Sequence, residues 1–153
     1  MKLEDEIKQT KPFKNEIQKL ILNINFTSSW LNALLVNKLK AFKISPQQYN
    51  VLKILKGHFP GTYSNLEITQ RMIDKSSNVT RIVDKLVLKG LVNRSTGDSD
   101  RRSVRIEISK KGLTFLDKVE SDLESTTNMF NIIDQAKAKI MNEWLDEMRE
   151  QVI

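Results

Sequence analysis

The stretch that decides the fold is SSNVTRIVDKLVLKGLVNR at residues 76–94. On a helical wheel, the apolar side chains of this stretch lie on one face and the polar ones on the other. This spacing predicts an amphipathic helix. The apolar face consists of Val79, Ile82, Val83, Leu86 and Val87. Gly90 marks the end of the helix, because glycine adopts the left-handed conformation that follows many helices. We predict a cap at Ser76 or Ser77 and a strand over residues 91–95.

A turn-rich segment and a second strand follow. TGDSD at residues 96–100 is a cluster of turn formers, and VRIEI at residues 104–108 alternates between apolar and charged side chains. Such alternation is typical of a half-buried strand. The two strands should therefore form a hairpin, with Arg101 and Arg102 at its tip.

Two capping boxes precede this region. SPQQ at residues 45–48 offers a serine cap, a proline at the first helical position and a glutamine three residues past the cap, which predicts a helix to about Leu55. SNLE at residues 64–67 repeats the pattern and opens a helix to about Ile73, after the chain break KGHFPGTY at residues 56–63. Only a short turn separates this helix from the next one, which is typical of a helix-turn-helix. A hairpin that directly follows the second helix is a wing.

Long helices flank this region on both sides. From about Pro12 to Phe42, apolar residues recur at helical spacing without glycine. Such a helix would reach roughly 45 Å, longer than a compact domain of this size needs, so part of it should pack on another chain. Ser109 starts a further helix and Asp134 opens the last one. The apolar face of the last helix consists of Ile140, Met141, Trp144, Leu145 and Met148.

The predicted fold class is mostly α with a small β-hairpin wing. We expect one domain over residues 1–153, in which a winged helix-turn-helix lobe covers about residues 45–111. Helices over about residues 12–43 and 113–153 flank the lobe and are expected to mediate dimerisation.

Charge is unevenly distributed along the chain. The formal net charge is +6, to which residues 1–63 contribute +6, residues 64–111 contribute +5 and residues 112–153 contribute −5. A basic body suggests a polyanionic partner for the first two parts. Solvated helix faces also produce such asymmetry, so charge alone does not settle the partner.

Composition excludes several classes of site. There is no cysteine, which removes disulfides, thiolate metal sites and thiol redox switches, and His58 is the single histidine. With no phosphate loop and no nucleophile motif, we expect no enzyme, no catalytic residue, no metal and no cofactor. The apolar runs are too short to span a bilayer, and MKLEDEIKQTK at the N-terminus lacks a hydrophobic signal core, so we expect no membrane partner and a cytoplasmic location.

The start of the second helix of a helix-turn-helix reaches base edges. Arg81 has the chemistry to bind guanine O6 and N7, and Asn78 to bind adenine or a phosphate. Asp84, three residues after Arg81, is placed to hold the Arg81 guanidinium in one orientation. This segment alone is equally compatible with an ordinary surface helix, and Leu88 does not suit its polar face.

The hairpin favours DNA over that alternative. A β-ribbon behind such a helix can lie along the minor groove, where arginine enters a narrow, electronegative slot. Arg101 and Arg102 at the turn, with Arg94 and Arg105 on the strands, are placed for this. A carboxylate beside an arginine, as at Asp100, can preorganise it.

Four segments, ISPQQYNVLKIL, LEITQRM, SSNVTRIVDKLVLKGLVNR and DSDRRSVRIEISKKG, resemble in this order the MarR family of winged-helix transcription regulators. The resemblance runs from about Ile44 to Gly112. The VTRIVDKL and KGLV segments together with the D-x-R of the wing make it specific, and the helical flanks agree in kind with the dimerisation region of that family.

The resemblance implies a role for each residue of the wing motif. The D-x-R falls on Asp100 and Arg102, with Arg102 as the expected minor-groove contact. The family's Leu-Thr pair at the end of the wing appears here as Ile108 and Ser109, a change that keeps a capping hydroxyl.

The resemblance also implies contacts from the recognition helix, at Ser77, Asn78, Thr80 and Arg81, with Lys85 directed toward the DNA backbone. With the start of the preceding helix and the wing, the complete set of candidate DNA-binding residues is Ser64, Ser77, Asn78, Thr80, Arg81, Lys85, Arg94, Asp100, Arg101, Arg102, Arg105 and Lys110.

The resulting hypothesis is a homodimeric regulator that binds double-stranded DNA at a palindromic operator, with a repressor favoured over an activator. The cysteine-based and zinc-based sensing modes of the family do not suit this composition, which leaves release by an anionic or lipophilic small-molecule effector open. We assign Trp30, Phe26 and Tyr49 to the core rather than to a ligand pocket. The alternative is a winged-helix module for architecture or protein contacts without sequence-specific DNA binding.

Overall fold

The computed structural model describes residues 2–96, 104–127 and 133–150. Its helices are α1 (Leu3–Glu6), α2 (Glu16–Lys40), α3 (Pro46–Lys56), α4 (Asn65–Arg71), α5 (Val79–Leu88), α6 (Lys110–Thr127) and α7 (Gln135–Glu150). Two strands, β1 (Val92–Thr96) and β2 (Val104–Ile108), form an antiparallel hairpin. The predicted fold class, mostly α with a β-hairpin wing, is confirmed.

The chain divides into two compact units, Met1–Leu113 and Thr114–Ile153. The first contains α1 to α5, the hairpin and the first turn of α6. The second contains the rest of α6, with Leu116 and Val119 buried, and α7. Among the described residues, no helix has the length and apolar character needed to cross a bilayer.

The long N-terminal helix begins later than the apolar spacing indicates. α2 starts at Glu16 because Asn15 caps it: the Asn15 side-chain oxygen accepts a hydrogen bond from the Gln18 N–H at 2.8 Å. The four-residue helix α1 precedes it and was not predicted. Trp30, expected in the core, is 47% exposed on α2.

The core of the first unit lies where α3, α4, α5 and the hairpin meet. Each of these elements buries one apolar face, as the capping boxes and apolar spacings predict. Its side chains with no more than 2% exposure are Leu39, Val51, Leu52, Leu55, Ile68, Met72, Val83, Leu86, Val92, Ile106 and Ile108.

The start of α5 differs from the prediction. The cap is Asn78, whose side-chain oxygen accepts from the Arg81 N–H at 3.1 Å, and neither Ser76 nor Ser77 takes that position. Ser76 is engaged in the preceding turn, where its hydroxyl donates to Asp74 at 2.6 Å. Asparagine and serine cap helices about equally well, so the turn decides which one does.

The hairpin is paired on both sides of β2. In β1, Val92 lies opposite Ile108 and Thr96 opposite Val104. On the other side, the Tyr63 N–H donates to the Ile106 carbonyl at 2.9 Å, and the Ile106 N–H donates to the Tyr63 carbonyl at 2.8 Å. The segment predicted only as a break therefore fastens the start of α4 to the wing.

α2 and α5 end in the same hydrogen-bond pattern. After α5, the Gly90 N–H donates to the Val87 carbonyl and the Leu91 N–H to the Leu86 carbonyl, with Gly90 at a φ of 70°. This is the Schellman motif, in which the residue at positive φ is usually glycine. The prediction that Gly90 ends the helix is confirmed.

At the end of α2, the equivalent bonds run from the Lys43 N–H to the Lys40 carbonyl and from the Ile44 N–H to the Leu39 carbonyl. Here the position at positive φ is Lys43, at 55°. A residue with a Cβ pays a steric cost in this region. Positive φ therefore costs little free energy at Gly90 and more at Lys43.

These two positions give a matched pair of stability predictions. Lys43→Gly should raise the free energy of unfolding by about 1 kcal/mol, because glycine removes the steric cost of positive φ. Gly90→Ala should lower it by about 1–2 kcal/mol for the converse reason. Urea denaturation of both variants tests the pair, and a loss of stability in Lys43→Gly would contradict it.

Candidate nucleic-acid interface

α5 presents a polar face because its apolar face is built into the core. Thr80, Arg81 and Lys85 are exposed on it, Asn78 is exposed at its start, and Ser77 is half-buried in the turn before it. Four of these five predicted contacts line one cavity, and Thr80 is exposed outside it. The structure therefore brings most of the predicted recognition residues together.

Asn78 has two roles that sequence reasoning did not separate. Its side-chain oxygen accepts the Arg81 N–H and is used for capping. Its amide nitrogen is a donor. Asn78 can therefore cap α5 and donate to a phosphate or a base acceptor, but capping takes the oxygen that adenine N6 would require.

The carboxylate of Asp84 binds a different arginine from the one predicted. Arg94 of β1, rather than Arg81, lies against it, with Nη1 of Arg94 2.7 Å from Oδ1 of Asp84. The Asp84 side chain is about half exposed and that of Arg94 about one-third exposed, so the pair stabilises the fold only slightly. The ion pair connects α5 to the first strand of the wing. Asp84 therefore does not orient Arg81 as predicted.

Ser64 is the cap of α4. Its hydroxyl donates to the Glu67 carboxylate at 2.8 Å and accepts from the Glu67 N–H at 3.3 Å, while the Ser64 N–H donates to the same carboxylate at 2.7 Å. The bonds from the Ser64 N–H and hydroxyl, followed by the nearby charges of Arg105 and Arg71, lower the pKa of Glu67. Glu67 is thus ionised at neutral pH, and the Ser64 hydroxyl is already engaged in the capping box.

The two arginines on the strands of the wing, Arg94 and Arg105, do not lie side by side. Arg94 lies opposite Ile106 and Arg105 opposite Ser95, at adjacent positions along the ladder. Because side chains alternate between the faces of a sheet, Arg94 and Arg105 lie on opposite faces. The structure does not bring these two predicted contacts together.

The tip of the wing lies outside the described residues. This applies to Asp98 and to the three tip residues proposed as DNA contacts, Asp100, Arg101 and Arg102.

Lys110, the last predicted contact, is the first residue of α6 and is exposed. Ser109 precedes it and has the capping role expected from the wing motif. Its hydroxyl accepts from the Gly112 N–H at 2.9 Å and donates to the Gly90 carbonyl at 2.8 Å. Lys110 is therefore held next to the point where the recognition helix ends.

An aromatic stack beside the wing was not predicted. The rings of His58 and Tyr63 lie parallel at 4.2 Å, and the Arg71 guanidinium lies over the Tyr63 ring at 4.3 Å. Stacking on an aromatic ring orients a guanidinium. His58 and Tyr63 lie in the loop between α3 and α4, and Arg71 lies at the end of α4, so no helix or strand spacing indicates this contact.

The cavity beside α5 includes residues that sequence reasoning treated only as helix signals. Besides the recognition residues, Ser45, Gln47 and Gln48 of the first capping box line it. Among the described residues, no group of histidine and acidic side chains is arranged to hold a metal ion.

Comparison with known proteins finds a family that this part of the chain resembles. Residues 44–104, from two residues before α3 to the first residue of β2, match the MarR family. An HTH-type transcriptional regulator of Bacillus subtilis, YkoM, is 32% identical over 80 residues, which are 52% of this chain and 51% of YkoM. The chain spans about half the length of the curated relatives it matches.

Solved structures share the fold at lower identity. The DNA complex of MepR from Staphylococcus aureus superposes with a TM-score of 0.77 at 18% identity, covering 88% of this chain and 98% of MepR. The organohalide-sensing regulator RdhR-CbdbA1625, bound to 2,4-dichlorophenol, gives a TM-score of 0.78 at 17% identity, covering 94% of this chain and 87% of that regulator.

At these identities the superpositions support the fold alone. The two curated relatives are transcriptional regulators. The matched segment contains the whole helix-turn-helix and the start of the wing. The matched segment is therefore similar to the MarR family of winged helix-turn-helix transcriptional regulators.

Proposed function

We propose that the protein is a homodimer that binds a palindromic DNA operator in a sequence-specific way and acts as a repressor. The observation that supports this most directly is the exposed polar face of α5. Arg81 and Lys85 stand on that face one helical turn apart, while the opposite face is fixed in the core. A helix held in this way can enter the major groove without rearranging the lobe.

Exposed apolar surface supports the dimer. On α2, Ile17, Ile21 and Trp30 are about half exposed or more, and on α7 the same holds for Met141 and Trp144. Large apolar side chains exposed along a helix in this way mark an interaction site on each of the two helices. A two-fold axis would cover the same surface on both chains and would impose its symmetry on the operator.

The proposed DNA contacts are the predicted set. Arg81 reads a base, Asn78 donates through its amide nitrogen, and Arg102, held by Asp100, enters the minor groove. The phosphate contacts come from Ser77, Thr80, Lys85, Arg94, Arg101, Arg105 and Lys110, and Ser64 contributes by fixing the start of α4.

Two structural neighbours support the proposal by analogy. MepR was solved in complex with DNA, and RdhR-CbdbA1625 was solved with a bound chlorophenol. We extend the first to this chain as DNA binding and the second as release by a small-molecule effector. A repressor is favoured because occupying promoter DNA is sufficient for repression, with no contact to another protein.

An architectural module without sequence preference is the alternative. The Asp84–Arg94 pair and the capping boxes would serve such a module equally well. What favours sequence reading is Arg81, because a bidentate donor is the commonest means of selecting guanine.

Selection of bound fragments from random DNA pools by the purified chain tests the function. We expect an inverted repeat whose half-sites lie one helical turn, roughly 34 Å, apart. Light scattering should give a dimer at micromolar concentration. A monomer, or enrichment without a repeat, would overturn the operator-binding homodimer.

Arg81 gives the sharper test of base reading. Arg81→Ala should cost on the order of 1–3 kcal/mol on the selected operator and relax preference at one base pair in each half-site. Arg149→Ala, which removes the same charge from α7, is the control. Equal weakening of operator and random DNA by Arg81→Ala would show that Arg81 does not read a base.

Substitutions of Arg102 and Asp100 test the proposed role of the wing. Arg102→Ala should weaken binding and flatten the dependence of log affinity on log salt, because a cation is lost from the electronegative minor groove. Removing an acid near DNA should tighten binding by simple electrostatics, whereas losing the brace of Arg102 should weaken it. We expect Asp100→Ala to weaken binding and Asp98→Ala, the matched control at the same tip, not to. Tighter binding by Asp100→Ala would leave Asp100 as a turn residue only.

A further inference from the structure

A polar cavity of about 390 Å³ lies between the first turn of α3 and the start of α5. Small-molecule sites of this size are lined mainly by apolar and aromatic side chains. This cavity has one apolar residue in its lining, Ile82. The other residues that line it are Ser45, Gln47, Gln48, Asp74, Ser76, Ser77, Asn78, Arg81 and Lys85.

The wall formed by α5 is cationic. Arg81 and Lys85 are four residues apart and lie on one side of the helix. Asp74 is the single acid among the described lining residues. Hydrogen bonds from the Ser76 hydroxyl at 2.6 Å and the Ser76 N–H at 3.0 Å lower the pKa of Asp74, so the cavity carries two cations and one engaged carboxylate.

The wall formed by α3 offers amide donors. Gln48 is 7% exposed, and its side-chain oxygen accepts the Ser45 N–H at 3.0 Å. Its amide nitrogen carries two N–H donors. Gln47 is half-buried beside it, and its amide also contributes two donors.

The Ser77 hydroxyl adds a further polar group. Its oxygen is buried and has no partner of hydrogen-bond geometry among the described residues, although it lies near enough to Asp74 to contribute slightly to the lowered pKa of that carboxyl. Buried polar atoms normally have partners. Amide and hydroxyl donors that share a cavity with two cations suit a ligand that carries negative charge and several acceptor oxygens.

We propose that this cavity holds a phosphodiester of the DNA backbone, with Gln47 and Gln48 of α3 donating from one side and Lys85 of α5 from the other. The inference rests on the proposed DNA binding and adds α3 to the contact surface. Arg81 belongs both to the cavity and to the base-reading face, which places the cavity beside the rim of the groove, where phosphates lie. Such contacts fix the register of the protein on the duplex.

Gln47→Glu separates a ligand contact from a structural role. Gln47 is the second residue of α3, where a carboxylate interacts favourably with the helix dipole, so the thermal stability of the variant should be equal to or higher than that of the parent. The same carboxylate would repel a phosphate in the cavity. We expect affinity for the selected operator to fall at least about fivefold at low salt, and the deficit to shrink as salt screens the repulsion.

The control is Gln18→Glu, which changes the net charge equally. Gln18 is the third residue of α2, and its side-chain oxygen accepts the Lys14 N–H, a role that glutamate also performs. This variant measures the effect of one unit of net charge alone. Operator affinity in Gln47→Glu should fall clearly below that of Gln18→Glu.

Two further measurements identify the ligand. Gln47→Ala should weaken binding without changing the salt slope, because no cation is lost, whereas Lys85→Ala should lower that slope by about 0.9. Replacing operator phosphates one at a time by neutral methylphosphonates should reveal a position that weakens binding to the parent and has little effect on binding to Gln47→Glu. A titration of the free protein with inorganic phosphate, followed by NMR at the Gln47 and Gln48 amides, tests for a free anion instead.

The outcomes separate this inference from the proposed function. If the parent binds no DNA with salt-dependent affinity, the proposed function fails and the inference with it. If the parent binds but Gln47→Glu equals Gln18→Glu, the inference alone is wrong. Tight, saturable binding of inorganic phosphate together with that equality would make the cavity a site for a free anion.

Discussion

The structure of the lobe depends on the burial of one face of α5. Val83 and Leu86 are fully buried and Val79 nearly so, against α3, α4 and the hairpin. Burying each of these side chains contributes about 1.5–3 kcal/mol, far more than any surface ion pair in the chain. Because the helix has no freedom to rotate about its axis, the opposite face with Arg81 and Lys85 is determined by the packing.

The elements that the sequence predicts well are those defined by neighbours along the chain. The capping box at Ser45 and Gln48 forms as predicted, since each partner lies within one turn of the other. The same holds for Gly90, whose positive φ needs no distant contact. The limits of β2 follow from its alternation of apolar and charged residues.

What the sequence did not reveal depends on partners that are distant along the chain. Two arginines within reach of a carboxylate are equally plausible partners in a sequence, so Asp84 was assigned to Arg81, whereas the fold brings Arg94 to it. Tyr63 pairs with Ile106 across more than forty residues. The cavity on α5 went unnoticed because Gln47 lies in a helix signal, and its position beside Lys85 arises only when α3 packs on α5.

The two ends of α5 differ in the contacts that they make with the rest of the protein. At the C-terminal end, the Lys111 ammonium donates to the Lys89 carbonyl at 2.8 Å, and the Lys89 ammonium donates to the Lys43 carbonyl, which joins the helix to α6 and to the end of α2. Cations at a helix C-terminus are stabilising, so these contacts fix that end. At the N-terminal end, the cap is a single asparagine whose amide nitrogen is a donor, beside a cavity lined by amide and hydroxyl donors and by two cations. A helix fixed at one end and open at the other presents its N-terminal half to a ligand, and the positive helix dipole there adds to the attraction for a polyanion.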